Sequence, residues 1–389
     1  FYIKLTITNS HKTNHMKKTH VLLVVLCICL YSCSPKIDDI INATEVERIE
    51  KTLSSDDMEG RETFTPGIDK AADFIASEFA KSELGYFGDN TSYFQEFIML
   101  KATPLTISGM LDTEVLDTTN VTITTTTKKI DVQSFKDYEI VTVQKDDEFA
   151  KKVYPVFRAE KNVLVLIDTS HAKNFSRIKR FASRAKFPSS ASQIFIVTTQ
   201  LEPSTIALQI TNEITEQKLK NIVGVIPGKS KKEEYVVFGG HYDHIGIGKP
   251  DAENDSIYNG ANDDAAGTTA VMMLAKYFNK VKDNERTLVF VAFTAEEIGG
   301  FGSHYFSEQF NPDQVMAMFN IEMIGTDSKW GADSAYITGF EKSSMGEILQ
   351  ANLVGSKFHF EPDPYPKQNL FYRSDNATFA ALGVPAHTI

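Results

Sequence analysis

From residue 214 onward the chain alternates short apolar runs with Gly- and Asp-rich loops and helix-like stretches. "NIVGVIPG", "YVVFGG", "TLVFVAF" and "VMAMFNI" read as buried strands, and "AAGTTAVMMLAKYF" (265–278) reads as a helix packed beside them. Strand and helix alternating at this spacing predict an α/β fold, a mostly parallel or mixed sheet with helices on both faces. Earlier, in "DKAADFIASEFAKSEL", the apolar Ala71, Phe74, Ile75, Phe79 and Ala80 recur at helical spacing, and Thr65-Pro66-Gly67 marks the helix start. Between these regions the pattern changes. "NVTITTTTKK" alternates β-branched positions, and "NVLVLID" (162–168) and "QIFIVTT" (193–199) read as strands. "NFSRIKRFASRAK" puts Phe175, Ile178, Phe181 and Ala182 on one helical face; Arg177, Lys179, Arg180, Arg184 and Lys186 read as its solvated side. This middle segment carries no catalytic cluster. The reading is a discontinuous domain over 44–100 and 214–389, interrupted by a smaller α/β or β-rich accessory domain at 101–213.

The N-terminus changes the picture. The chain starts at Phe1, and the first methionine is Met16, followed by Lys17, Lys18 and the apolar run "VLLVVLCICL". A membrane span needs about 20 apolar residues, so this run fits the core of a signal peptide. Residues 1–15 are read as lying upstream of the protein proper. All three cysteines, Cys27, Cys29 and Cys33, sit in or just after the run, so disulfides are excluded from the mature fold. "LYSC" resembles a bacterial lipobox. The expectation is a lipoprotein signal peptide over 16–33, a lipid anchor at Cys33, a tether over 34–43, and a place on the membrane in a bacterial cell envelope. The remaining bulk numbers specify little: 42% apolar residues supply a core, and a net charge of −11 argues against nucleic acid as a partner.

The chemistry lies at the strand ends. "YVVFGG" leads into His241 and Asp243, and the following loop, "YNGANDDAAG", brings Asp263 and Asp264. "TLVFVAF" leads into Glu296 and Glu297, and "AMFNI" into Glu322. In an open α/β sheet the ligand site lies at the carboxyl ends of the strands. Zinc takes histidine nitrogen and carboxylate oxygen, and two neighbouring zinc ions need a carboxylate between them, for which Asp263 is the candidate. The adjacent Glu296 and Glu297 are costly to place together without a cation; with metal, one ligates while the other stays free as a base. Asp243, two residues past His241, suits the role of holding the imidazole in one tautomer.

"GGHYDHIG", "YNGANDDAAG", "TAEEIGGFGS" and "NIEMIGTD", in this order, resemble the four successive motifs of the co-catalytic zinc aminopeptidases, peptidase family M28. "GRETFTPG" (60–67) and "RSDNATFAALGVPAHTI" (373–389) are similar to it as well, and the middle segment resembles the protease-associated insert of some members. The resemblance implies a zinc-exopeptidase-like fold and an aminopeptidase acting on peptides through two zinc ions. It implies that His241 binds one zinc, Asp263 bridges both, Glu297 binds the other, Glu322 completes the first set, and Glu296 is the general base. Many members have aspartate at the position of Glu322. A cis peptide between Asp263 and Asp264 is also implied. The second zinc takes a further histidine near the C-terminus in the family. His387 stands before the place where that ligand follows, so the expectation is a sequence truncated before it, with the ligand beyond Ile389. His244 is read as a loop or substrate-side residue, His304 as helix packing, and Asp375 and Asn376 as pocket-lining or helix-capping. Two competing readings are a single-zinc, glutaminyl-cyclase-like aminoacyltransferase and a non-catalytic peptide-binding protein on the same scaffold.

Overall fold

The computed structural model of the chain describes residues 36–389. The segments expected to be upstream residues, a signal peptide ending at Cys33 and the start of a tether lie outside the described residues. Within the tether, Ile37–Ile40 form a short helix whose Ile40 is buried. No helix among the described residues is long and apolar enough to cross a membrane.

Among the described residues, fourteen strands form three sheets. In chain order they are β1 (Phe94–Leu111), β2 (Glu114–Leu116), β3 (Val121–Thr124), β4 (Lys129–Val132), β5 (Glu139–Val143), β6 (Val163–Asp168) and β7 (Gln193–Thr198). They continue with β8 (Ile206–Ile226), β9 (Lys231–His241), β10 (Arg286–Phe293), β11 (Val315–Asn320), β12 (Ser334–Ile337), β13 (His359–Pro362) and β14 (Ala386–Thr388). The main sheet runs β14-β11-β9-β10-β8-β1-β2, with β4 also on β8. It is mixed: β14, β11, β9 and β10 are parallel, but β8 is antiparallel to both β10 and β1. "NIVGVIPG" is thus the end of a long antiparallel strand.

Side chains alternate across this sheet with the strand period of two. In β10, Leu288, Phe290 and Ala292 face a core with the helices Ala43–Leu53, Pro66–Lys81 and Ala266–Val281. Val289, Val291 and Phe293 face the opposite core, with Phe306 and Phe379 from the helices Phe301–Ser307 and Asn376–Ala381. Both faces are therefore covered, and the strand reads as a continuous apolar run. The helix at Pro66 starts with Thr65 at its N-cap position; Ala71, Ile75 and Phe79 are buried, while Ala80 faces solvent.

The middle segment is joined through the sheet itself. β1 and β8 stay paired from Phe94↔Ile222 to Leu111↔Ile206, so the positions 100/101 and 213/214 both fall inside unbroken strands. The outer half of this ribbon packs on the sheet β3-β7-β6-β5 through Ile107, Leu208, Ile194 and Ile196. In the helix Phe175–Ala182, Phe175, Ile178 and Ala182 are buried and Arg177, Lys179 and Arg180 are exposed. Lys186 departs from the expected solvated face: it is half-buried and donates to Gln193 Oε1 at 3.1 Å.

Candidate active site

Strands β11, β9 and β10 are parallel neighbours at the sheet centre, so their carboxyl ends open on one rim. His241 is the last residue of β9, Glu296 and Glu297 follow β10, and Glu322 follows β11. The loop before the helix Ala266–Val281 supplies Asp263, and the Asp263–Asp264 peptide is cis. His241, Asp263 and Glu322 offer ligand atoms within 4.8 Å of one another, and so do His244, Asp263 and Glu297. Asp263 is common to both groups. The extra methylene of Glu322 therefore does not keep its carboxylate out of reach.

His241 is fully buried. Its Nδ1 lies 3.1 Å from the Asp243 carbonyl oxygen. A carbonyl only accepts, so Nδ1 carries the proton. Nε2 is the nitrogen that faces the site; it stands 3.1 Å from Asp263 Oδ1 without hydrogen-bond geometry, and it carries the second proton while the ring is charged. Burial opposes a charged imidazole, but Asp263, Asp264, Asp243 and Glu296 override it and hold His241 well above the usual histidine range. A buried, unpartnered histidine nitrogen amid surplus carboxylates is a donor set that fits a divalent cation.

The expected role of Asp243 changes in detail. Its carboxylate lies 3.7 Å from His241 Nδ1, farther than its own carbonyl. Instead Oδ1 accepts from the Glu296 amide at 3.0 Å, and Oδ2 from the Glu297 amide at 3.2 Å and the Thr63 hydroxyl at 3.3 Å. Asp243 thus fixes the backbone of both glutamates. Asp264 ties the end of β9, the start of the helix Ala266–Val281 and the loop after β11 together, accepting from the amides of His241 (3.2 Å), Gly267 (3.0 Å) and Met323 (3.1 Å). A side chain at Gly267 would stand 2.0 Å from the Ile321 carbonyl and 2.5 Å from the Asp264 carboxylate, so only glycine allows this approach.

Burial raises the Glu296 carboxyl well above the usual range, and the charges of Asp375, Glu322 and Asp243 add to it. Asp375 is fully buried with neither oxygen hydrogen-bonded, and burial raises its carboxyl too. It makes no cap bond at the helix Asn376–Ala381. Asn376 links β14 to the turn Leu370–Tyr372, donating to the Phe371 carbonyl at 3.0 Å and accepting from Thr388 at 2.9 Å.

Three other histidines separate clearly. His244 was not singled out as a ligand by sequence, yet its Nδ1 lies 2.9 Å from Glu297 Oε1; irregular backbone past a strand end has no period from which to place it. His387 joins neither group. Its Nδ1 donates to the Thr338 carbonyl at 2.9 Å and its Nε2 meets the Ser343 hydroxyl at 2.6 Å. His304 does not pack inside; its exposed ring pairs with Glu308 at 3.1 Å.

Arg61, from "GRETFTPG", is fully buried behind the site. Its Nε donates to the Tyr242 carbonyl at 2.8 Å, Nη1 to those of Leu53 and Asn259 at 2.6 Å, and Nη2 to that of Gly260 at 2.8 Å. It pins the loops on both sides of the candidate metal ligands.

Residues 221–389 match the model of Peptidase family M28. The matched stretch begins inside β8 and holds every candidate ligand, whereas Arg61 and Thr63 reach it from outside the matched residues. Aminopeptidase YwaD of Bacillus subtilis is 28% identical over 168 residues, 42% of this chain and 33% of that protein. A protein of Pyricularia oryzae named "Probable zinc metalloprotease" is 31% identical over 113 residues, 28% of this chain and 22% of that protein. The chain thus spans about a third or less of the length of these curated relatives. Among solved structures, the aminopeptidase from Aneurinibacillus sp. strain AM-1 superposes with a TM-score of 0.49 at 18% identity, covering 90% of this chain and 85% of that one. Porphyromonas gingivalis glutaminyl cyclase gives 0.44 at 11%, covering 90% and 84%.

Proposed function

We propose that this protein is a zinc metallopeptidase, an aminopeptidase that removes N-terminal residues from peptides with Glu296 as general base. The observation that carries it is the pair of ligand groups sharing Asp263 beside the half-buried Glu296. His241, Asp263 and Glu322 would hold one zinc; Asp263 and Glu297 would hold the second. Bound there, the ions supply Lewis-acid activation of water and of the scissile carbonyl.

The chain's own residues do the rest. The Asp243 carbonyl keeps the His241 proton on Nδ1 and leaves Nε2 for ligation. The Asp243 carboxylate clamps the amides of Glu296 and Glu297, which aims the base and the ligand separately although they are adjacent. Burial makes Glu296 a stronger base than a solvated glutamate. It takes a proton from the attacking water and returns it to the leaving amine.

The test is hydrolysis of aminoacyl-nitroanilides by zinc-loaded protein. Glu296→Gln should lower kcat by about 10²–10⁴, the usual weight of general acid–base catalysis, with metal content retained. Full activity of that variant would eliminate Glu296 as the base. One tightly bound zinc per chain, with cyclisation of N-terminal glutamine, would replace this reading by the single-zinc cyclase.

A further inference from the structure

The role of the inserted segment is written where it meets the catalytic loop. Ala295 and Ile298 flank Glu296 and Glu297, and they pack in one apolar cluster with Ala185 and Phe187 of the insert and with Phe97, Met99 and Leu219 of the ribbon. Beside this contact opens a cleft of about 240 Å³. Phe64, Ala185, Ile298 and Phe301 supply its apolar surface. Phe64 directly follows Thr63, which holds Asp243, and Ile298 directly follows Glu297. The cleft therefore borders the proposed reaction centre on one side and the insert on the other.

Its charged lining is one-sided. Lys101 and Arg184 line it, with the amide of Gln217, and no aspartate or glutamate does. Neither cation forms an ion pair among the described residues. The Arg184 guanidinium lies 4.6 Å from the centre of the Phe181 ring. Stacking on an aromatic face limits the freedom of the side chain and leaves the edge of the guanidinium free to donate. A space below the 300–1,000 Å³ of pockets for drug-sized ligands suits a single residue of a peptide.

We propose that this cleft is a carboxylate subsite of the peptide-binding site, walled by the insert, with Arg184 and Lys101 as its cations. The proposal rests on the peptidase reading for the presence of a peptide. The carboxylate is either the free C-terminus of a short peptide or an acidic side chain, since both present the same two oxygens to the same donors.

Two ligand pairs separate these sources: Leu-Ala against Leu-Ala-amide, and Leu-Glu-amide against Leu-Gln-amide. Binding is read by calorimetry on the zinc-loaded full chain carrying Glu296→Gln, so the result does not depend on turnover. In one pair the carboxylate member should bind about tenfold tighter, as expected for charge-assisted contacts at a partly exposed site. High salt should shrink that preference. Lys101→Ala with Arg184→Ala should erase it, and Arg184→Lys alone should keep most of it. The proposal is overturned if neither pair discriminates, if discrimination survives the double substitution, or if Arg184→Lys loses it as fully as alanine. A protein that binds with this preference but hydrolyses no peptide would keep the subsite and refute the peptidase reading.

Discussion

Replacing Arg61 by methionine tests how the site is held together. Methionine keeps much of the buried volume and removes the charge and every donor. Four backbone carbonyls, those of Tyr242, Leu53, Asn259 and Gly260, lose their partner together. At about 1.5–3 kcal/mol for each hydrogen bond from a charged donor, the ceiling is roughly 6–12 kcal/mol. The opposing term is the cost of keeping a guanidinium dry, visible in the lowering of Arg61 basicity by burial. Substitution recovers that cost but removes one of the two cations that offset Asp243 and Asp264, leaving only His241. Loss of one partner from a buried charged network costs about 3–5 kcal/mol, so that is the expected destabilisation. It is a large share of the 5–15 kcal/mol typical of folded proteins. Urea unfolding of metal-free protein, followed by far-UV circular dichroism, measures it directly. Arg61→Lys should fall between the two, because one ammonium cannot reach four carbonyls in a fork. A Met variant within about 1 kcal/mol of the parent, below the usual cost of one unpaired buried group, would refute the reasoning.

Other outcomes follow from the same geometry. Asp263→Ala should lower both metal equivalents per chain, whereas Glu297→Ala should lower only one; equal losses measured by atomic emission would rule out a shared ligand. The raised His241 gives a pH dependence. In metal-free protein its stabilising contribution is present below the unperturbed value of 6.5 and is lost as pH rises through the higher folded value. Zinc must displace that proton, so affinity should weaken as pH is lowered, and calorimetry in buffers of different ionisation enthalpy should register proton release near neutrality. No release would mean that His241 is already neutral there. Cys33→Ala should free the protein from membranes in a cell-fractionation assay; unchanged retention would indicate anchoring by another route.

The strand ends were legible in the sequence. Apolar runs of strand length followed by His241, by Glu296 and Glu297, and by Glu322 are local signals, because burial of a central parallel strand writes itself into every residue of the run. Parallel neighbours then bring those endings to one rim with little freedom left. The partners of those residues were not legible. Arg61 meets the carbonyl of Gly260 across 199 positions, and no periodicity reports where one loop crosses another. The position of Asp243 in the chain suggested a partner for the imidazole, but the fold turned its carboxylate onto two amides beyond the end of β10. His244 and His387 are alike as residue types. Tertiary packing swings one onto Glu297 and locks the other between Thr338 and Ser343. The insert looked separable because its composition differs, yet β1 and β8 run through both of its boundaries. Composition and period describe what each segment must bury; which distant group it is buried against is decided only when the chain closes on itself.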